Sequence, residues 1–301
     1  DYNNFQKLKE LELKDGVFYL NQSLIIDKNY VFPKNNTLII NKGVKIDFAD
    51  DFILKSYGSI KFKGSKKEPI LVNNKGKKGS IILSNNDYLL KNVIINNLSY
   101  PKDKNRILHG GVNIINSNAK ILSVEIKNSK SEDAINFVSS DVYIEDLKIE
   151  NILSDGIDVD FGNLKFDNIF CVNIKNDCLD LSNSNFEGQN LIARSVNDKG
   201  LSVGENSKGN IENLSFEKNR LGIAVKDGSE VTLNHIKFSE NQYDIAVFKK
   251  KEEYESASLK INNISDYNYS KIYLGKKNSI LSNHTLKINK VKNNYLNNIF
   301  Y

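Results

Sequence analysis

The chain has 301 residues, 40% of them hydrophobic and 26% charged, which suits one elongated domain or two ordinary ones with a buried core. No apolar run approaches the ~18 residues that mark a membrane span. The net charge of +5, from 42 basic and 37 acidic residues, is compatible with an acidic polymer as partner but does not require one, because the charges read as interspersed.

Methionine is absent, even at position 1, so a processed or cut chain is expected, a removed secretory signal being one explanation. Residues 1–14, "DYNNFQKLKELELK", space Phe5, Leu8 and Leu11 at helical intervals and predict a cap over an open sheet end. We place this cap and an entry strand at 1–30. From 31 onward, "TLIINKGVKIDFADDFILKSYGSIKFKG" holds short strands separated by glycine turns.

Regularity sets in at Gly110. Blocks opening "DAINFV", "DGIDVDF", "DCLDLSNS", "KGLSVGENS", "LGIAVKDGS" and "YDIAVF" start at 133, 155, 177, 199, 221 and 243, a spacing of 22 each time. Position three is Ile135, Ile157, Leu179, Leu201, Ile223 and Ile245; position five is Phe137, Val159, Leu181, Val203, Val225 and Val247. Alternation puts both on one face of a strand. A second alternating pair follows in each block, with Asn, Ser, Gly and Asp between, where corners bend the chain. All three prolines precede the regular region, so none interrupts its ladders. A period of this length without helical spacing predicts an all-β parallel β-helix solenoid with ~22-residue coils. We place it at 31–264, most regular over 110–248, followed by a capping tail of irregular strands at 265–301. Cys171 and Cys178 match no zinc spacing and are expected as two small buried side chains.

Stacking turns sequence columns into ladders. Column one reads Asp133, Asp155, Asp177, Lys199; column four reads Asn136, Asp158, Asp180, Ser202; column six includes Asp160, Ser182 and Lys226. Neighbouring coils lie ~4.8 Å apart, where a like-charge pair costs roughly 3–4 kcal/mol at a surface-like dielectric. Relief requires a cation, raised carboxyl pKa values, or Lys199 over Asp177. Column one sits at a corner, where Asp also accepts backbone N–H bonds; column four lies mid-strand, where Asp is disfavoured.

The turns "LSDGIDV", "KNDCLDL", "DKGLSVG" and "GIAVK" resemble the successive motifs of polygalacturonase-type glycoside hydrolases, a right-handed parallel β-helix family. That resemblance implies acid roles for Asp155 and Asp177 and a substrate-carboxylate contact for Lys226. Asn176, Lys199 and Ala224 stand where that family carries an acid, a histidine and an arginine. The longer series from "GGVNII" to "GIAVKDGS" is similar to β-helix regions of secreted bacterial proteins, some found with spore-coat-kinase-like domains. It carries no kinase signature, and His109, His235 and His284 are isolated.

The expected function is a secreted or cell-envelope protein that binds polysaccharide, acidic polymers included; whether it also cleaves it, as a hydrolase or Ca²⁺-assisted lyase, is left open by the residues. As a hydrolase it would use Asp155 and Asp177 as acid and base. As a lyase it would hold Ca²⁺ on Asp158, Asp160 and Asp180 while Lys199 or Lys226 takes the proton. Asn136, Asp158, Asp180 and Lys226 are the candidate substrate contacts. The alternative is a non-catalytic glycan-binding or spacer module, with a fused or partner domain outside this chain. Phe161 and Phe248 are the aromatic candidates in the outward columns. Nucleic acid is not an expected partner, since no basic-aromatic motif is present. A cleft walled by loops would favour chemistry; a flat open face would favour the module.

Overall fold

The computed structural model describes residues 2–76, 78–100, 108–265 and 271–300. It divides into two compact units, Asp1–Ser154 and Asp155–Tyr301, each a nearly all-β solenoid in which most strands pair in parallel with their equivalent one coil away.

In the first unit one sheet runs through Asn3–Asn4, Tyr30–Phe32, Ile53–Ser56, Ser80–Ser84, Gly110–Ile115 and Asp133–Val138. A second runs from Val17–Leu20 through Thr37–Asn41, Ser59–Lys63, Asp87–Asn96 and Asn118–Lys127 to Asp141–Ile152. The amino-terminal segment differs from its helical spacing. Only Phe5–Lys7 turns, as a single 3-10 turn capped by Asn4, and Leu11–Lys14 pairs antiparallel with Val17–Leu20. Three residues per turn cannot sustain a long helix. The cap works instead through Phe5, fully buried and packed edge-on against Tyr30 and Phe32.

The second unit contains the strands Asp155–Asp160, Leu179–Ser182, Lys199–Gly204, Leu221–Lys226 and Tyr243–Phe248, which form one face in that order. The partner register Ile157↔Leu179, Leu179↔Leu201, Leu201↔Ile223 and Ile223↔Ile245 advances by 22 residues each time. Columns three and five are completely buried throughout, each aliphatic side chain contributing about 1.5–3 kcal/mol by leaving water. At position two of two successive coils only glycine fits: a Cβ at Gly200 would lie 2.4 Å from the Phe216 ring, and one at Gly222 2.7 Å from the Phe238 ring. Corners recur with the same period. Phe161, Asn183, Glu205 and Asp227 are all left-handed, with φ of 55°, 49°, 58° and 52°, a conformation that Asn and Asp tolerate best.

Two expectations change here. Cys171 and Cys178 are buried as expected, but they are joined by a disulfide across seven residues. Their side chains meet because the strand Asn163–Ile174 turns back into the next coil. The carboxy-terminal tail is also more regular than expected: Ile272–Gly275 and Ile288–Val291 continue one ladder, and Ser279–Ser282 adds to the other by pairing with Ser258–Ile261. It closes with an α-helix, Asn293–Phe300. Residues 266–270 and 301 of that tail lie outside the described residues.

The helix explains a change along the outward columns. Column one becomes Leu221, column four becomes Ala224 and Ala246, and column six becomes Phe248, all fully buried. Leu296 and Phe300 of the helix pack on these four residues. Phe248 therefore packs against Phe300 rather than presenting a ring to sugar, while Phe161 is 62% exposed.

Candidate functional site

The helix and the 249–256 segment turn one end of the strand face into a cleft of about 440 Å³. Its lining includes Asp177, Asp180, Asp198, Lys199, Arg220, Lys226 and Lys250, with Phe300 at one wall. The period break that carries "KKKEEYESA" supplies the other wall. It is held by Asp227, whose Oδ1 accepts the Lys250 and Lys251 N–H groups at 2.6 and 2.8 Å, and by an ion pair of Lys251 with Glu205.

At the floor, column one behaves first as a corner. Asp155 Oδ1 accepts the Asp177 N–H at 2.6 Å and the Asn176 side-chain amide at 2.7 Å. Asp177 Oδ1 accepts the Lys199 N–H at 2.9 Å, one coil further. Each aspartate thus ties the next coil's backbone, as turn chemistry requires. Lys199 does lie over Asp177: its Nζ is 3.4 Å from Asp177 Oδ1 and also pairs with Asp198. Asp198 in turn accepts from Arg220 at 3.1 Å, and Arg220 donates a second bond to the Ile299 carbonyl of the terminal helix. The cluster joins the floor to the wall.

Burial raises the Asp177 carboxyl to about 6; Lys199 opposes the shift, and Asp180 and Asp198 reinforce it. Lys226 donates to Ser202 at 2.9 Å. Its stem has room because the residue one coil back is Gly204, where a Cβ would lie 3.3 Å from Lys226 Cε. Lys250 shifts the other way, down to about 8, first through burial and then through repulsion by Lys226, Lys199 and Lys251. Four cations therefore share one cleft with the carboxylates.

The expected column-four pair is confirmed in register, Asp158↔Asp180, with Asp160↔Ser182 beside it. Asp180 Oδ1 accepts the Leu181 N–H at 3.0 Å. Among the described residues no three His, Cys, Asp or Glu side chains converge as a metal-ligand set. Asp158, Asp160 and Asp180 therefore do not form such a set by themselves. Asn136 lies in the first unit, where its side-chain amide donates to Asp133 at 3.0 Å. Of the histidines, His109 pairs with Glu132 and His235 with Glu212.

Lys250, Asp198, Arg220 and Phe300 were not legible as site residues. Two signals pointed to them: the loss of period at Lys249, and the apolar turn of the outward columns at Leu221, which demands a cover.

The arrangement is a parallel β-helix carrying a mixed-charge cleft. No family model matches the chain, and no curated protein matches it. Among solved structures it is similar to a single-site mutant of the periplasmic alginate epimerase AlgG, at 12% identity and a TM-score of 0.41, over 96% of this chain and 83% of that one. It is also similar to an alginate lyase from Paenibacillus sp. str. FPU-7, at 12% identity and a TM-score of 0.35, over 85% of this chain and 87% of that one. Among the described residues no helix is long and apolar enough to cross a membrane.

Proposed function

We propose that the chain binds an acidic polysaccharide in the cleft, with uronate carboxylates received by Lys226 and Lys250. The observation that carries this reading is the convergence of Lys199, Arg220, Lys226 and Lys250 on one walled cavity. Lys199 and Arg220 are engaged by Asp177 and Asp198. Lys226 donates to the Ser202 hydroxyl and interacts electrostatically with Asp177, while Lys250 lies among Lys226, Lys199 and Lys251 with Asp180 also in reach. An arriving carboxylate would relieve that repulsion. The polar lining offers hydrogen bonds to sugar hydroxyls through Asn176, Asp180 and Ser182. The disulfide is consistent with an oxidising compartment, which supports a secreted or envelope location.

Cleavage is the second reading, favoured by the carboxyl at about 6 on Asp177. A group titrating there carries a proton at mildly acidic pH, as a general acid must. Asp180, partly exposed beside it, is then the carboxylate that would activate water. Asp155 is the weaker choice for that role, because one oxygen already holds two N–H donors. The test is calorimetric titration with polygalacturonate and with neutral xylan, followed by assay for new reducing ends and for unsaturated products. Binding of the acidic polymer alone supports the first reading. Equal binding of xylan defeats the first; product formation that Asp177→Asn abolishes supports the second, and its absence on both polymers defeats it.

A further inference from the structure

The positive charge of this protein is concentrated in one place. Residues 271–301 contain six lysines and no Asp, Glu or Arg, leaving 36 basic and all 37 acidic residues to the rest of the chain. The net excess therefore belongs to the last coils, and the impression of interspersed charge fails there.

Four of these lysines, Lys276, Lys277, Lys290 and Lys292, line a groove of about 530 Å³ together with Leu274 and Val291. All four are exposed, and none has a carboxylate within ion-pair distance among the described residues. Lysines on earlier coils of the same unit are matched one coil away: Lys208 by Glu230 at 2.7 Å and Lys165 by Glu187 at 3.4 Å. The groove is also pre-formed. Asn278, 9% exposed, donates to the Gly275 and Lys276 carbonyls at 3.2 and 3.0 Å. Asn293 holds the Lys276 carbonyl from the helix side at 3.2 Å. The parallel register Leu274↔Lys290 brings the two lysine-bearing segments together.

We propose that this groove is a second binding site, separate from the cleft, for an acidic polysaccharide held by charge. Four like charges without counter-charges are stabilised by a polyanion and screened by salt. Lysine rather than arginine presents point charges without the bidentate fork, which fits a flexible chain of carboxylates at variable spacing. No aromatic side chain lines the groove, so it lacks the stacking platform that single-stranded nucleic acid uses.

The experiment measures polygalacturonate affinity for the full chain at 20 and 200 mM salt (about a threefold change in Debye length). It compares the unaltered protein, the variant Lys276→Gln/Lys277→Gln/Lys290→Gln/Lys292→Gln, and the cleft variant Lys226→Gln. The four-lysine variant is expected to lose at least about tenfold in affinity at low salt and most of its salt dependence. The cleft variant is expected to keep the salt-dependent component. Affinity of the four-lysine variant within about twofold of the unaltered protein overturns the proposal, as does tighter binding of single-stranded DNA than of polygalacturonate. An unchanged Lys226→Gln variant counts against the cleft and leaves the groove standing.

Discussion

Lys199 Nζ lies 3.4 Å from Asp177 Oδ1, and the two residues are 2% and 3% exposed. This contact replaces a carboxylate that the ladder would otherwise stack a third time. A buried pair of this kind adds little over an apolar replacement of both partners, but removing one partner strands the other charge. Lys199→Met should therefore destabilise the chain by about 3–5 kcal/mol, read as urea-midpoint loss at pH 7. An unchanged midpoint would show that Asp177 is already neutral without its lysine.

Asp177 should also be visible in its own titration. Its carboxyl is raised from 3.8 to about 6, so folding disfavours the charged form. Its contribution to stability should decline as pH rises from about 4 to 6, and the cost should be complete above that. A carboxyl-carbon NMR titration is expected to place its midpoint near 6. A midpoint near 4 would remove the candidate acid.

Lys250 makes the opposite prediction for binding. With its ammonium lowered to about 8, affinity for an acidic oligosaccharide should fall as pH passes through 8. Lys250→Gln should bind more weakly at pH 7 and show no step there. An alkaline loss that persists in the variant would assign the step to another group.

The terminal helix is expected to hold the cleft together. Leu296 is fully buried against Leu221, Ala224, Ala246 and Phe248, and Leu296→Ala should cost about 2–5 kcal/mol. If the helix walls the cleft, the same variant should weaken ligand binding at temperatures where the chain remains folded. Weakened stability with intact binding would mean that the helix covers the sheet without shaping the site.

The disulfide between Cys171 and Cys178 closes a short loop. A chain-entropy treatment gives it about 2–3 kcal/mol, measurable as the shift in urea midpoint between the unaltered chain and Cys171→Ala/Cys178→Ala. No shift would show that the pairing constrains nothing the strands do not already fix.

The coils were legible because burial dictates their period: Ile157, Leu179, Leu201 and Ile223 must all face the core, and 22 residues is the interval at which they do. The pairing of Asp158 with Asp180 and of Lys199 over Asp177 followed from that interval alone. The cleft was not legible in the same way. Lys250 comes from a segment without the period, and Phe300 reaches the site from a helix some 50 residues beyond Lys250 in sequence. Their positions are set by tertiary packing, which column arithmetic does not contain. The disulfide was not legible for a related reason, since Cys171 lies in a strand and Cys178 in the corner that follows it, and each residue alone satisfies a core position. In hindsight Leu221, Ala224, Ala246 and Phe248 were the clearest overlooked signal: four apolar residues in columns that should face water.

The most direct test of the cleft is calorimetric titration with a short galacturonate oligomer, too small to span far along the solenoid, at pH 6.5 and 150 mM salt. Saturable binding by the unaltered protein is expected, with at least about a tenfold loss in both Lys226→Gln and Lys250→Gln and no binding of the matching neutral oligomer. Binding that survives both substitutions, or that is equal for the neutral sugar, would contradict the assignment of the cleft to an acidic polysaccharide.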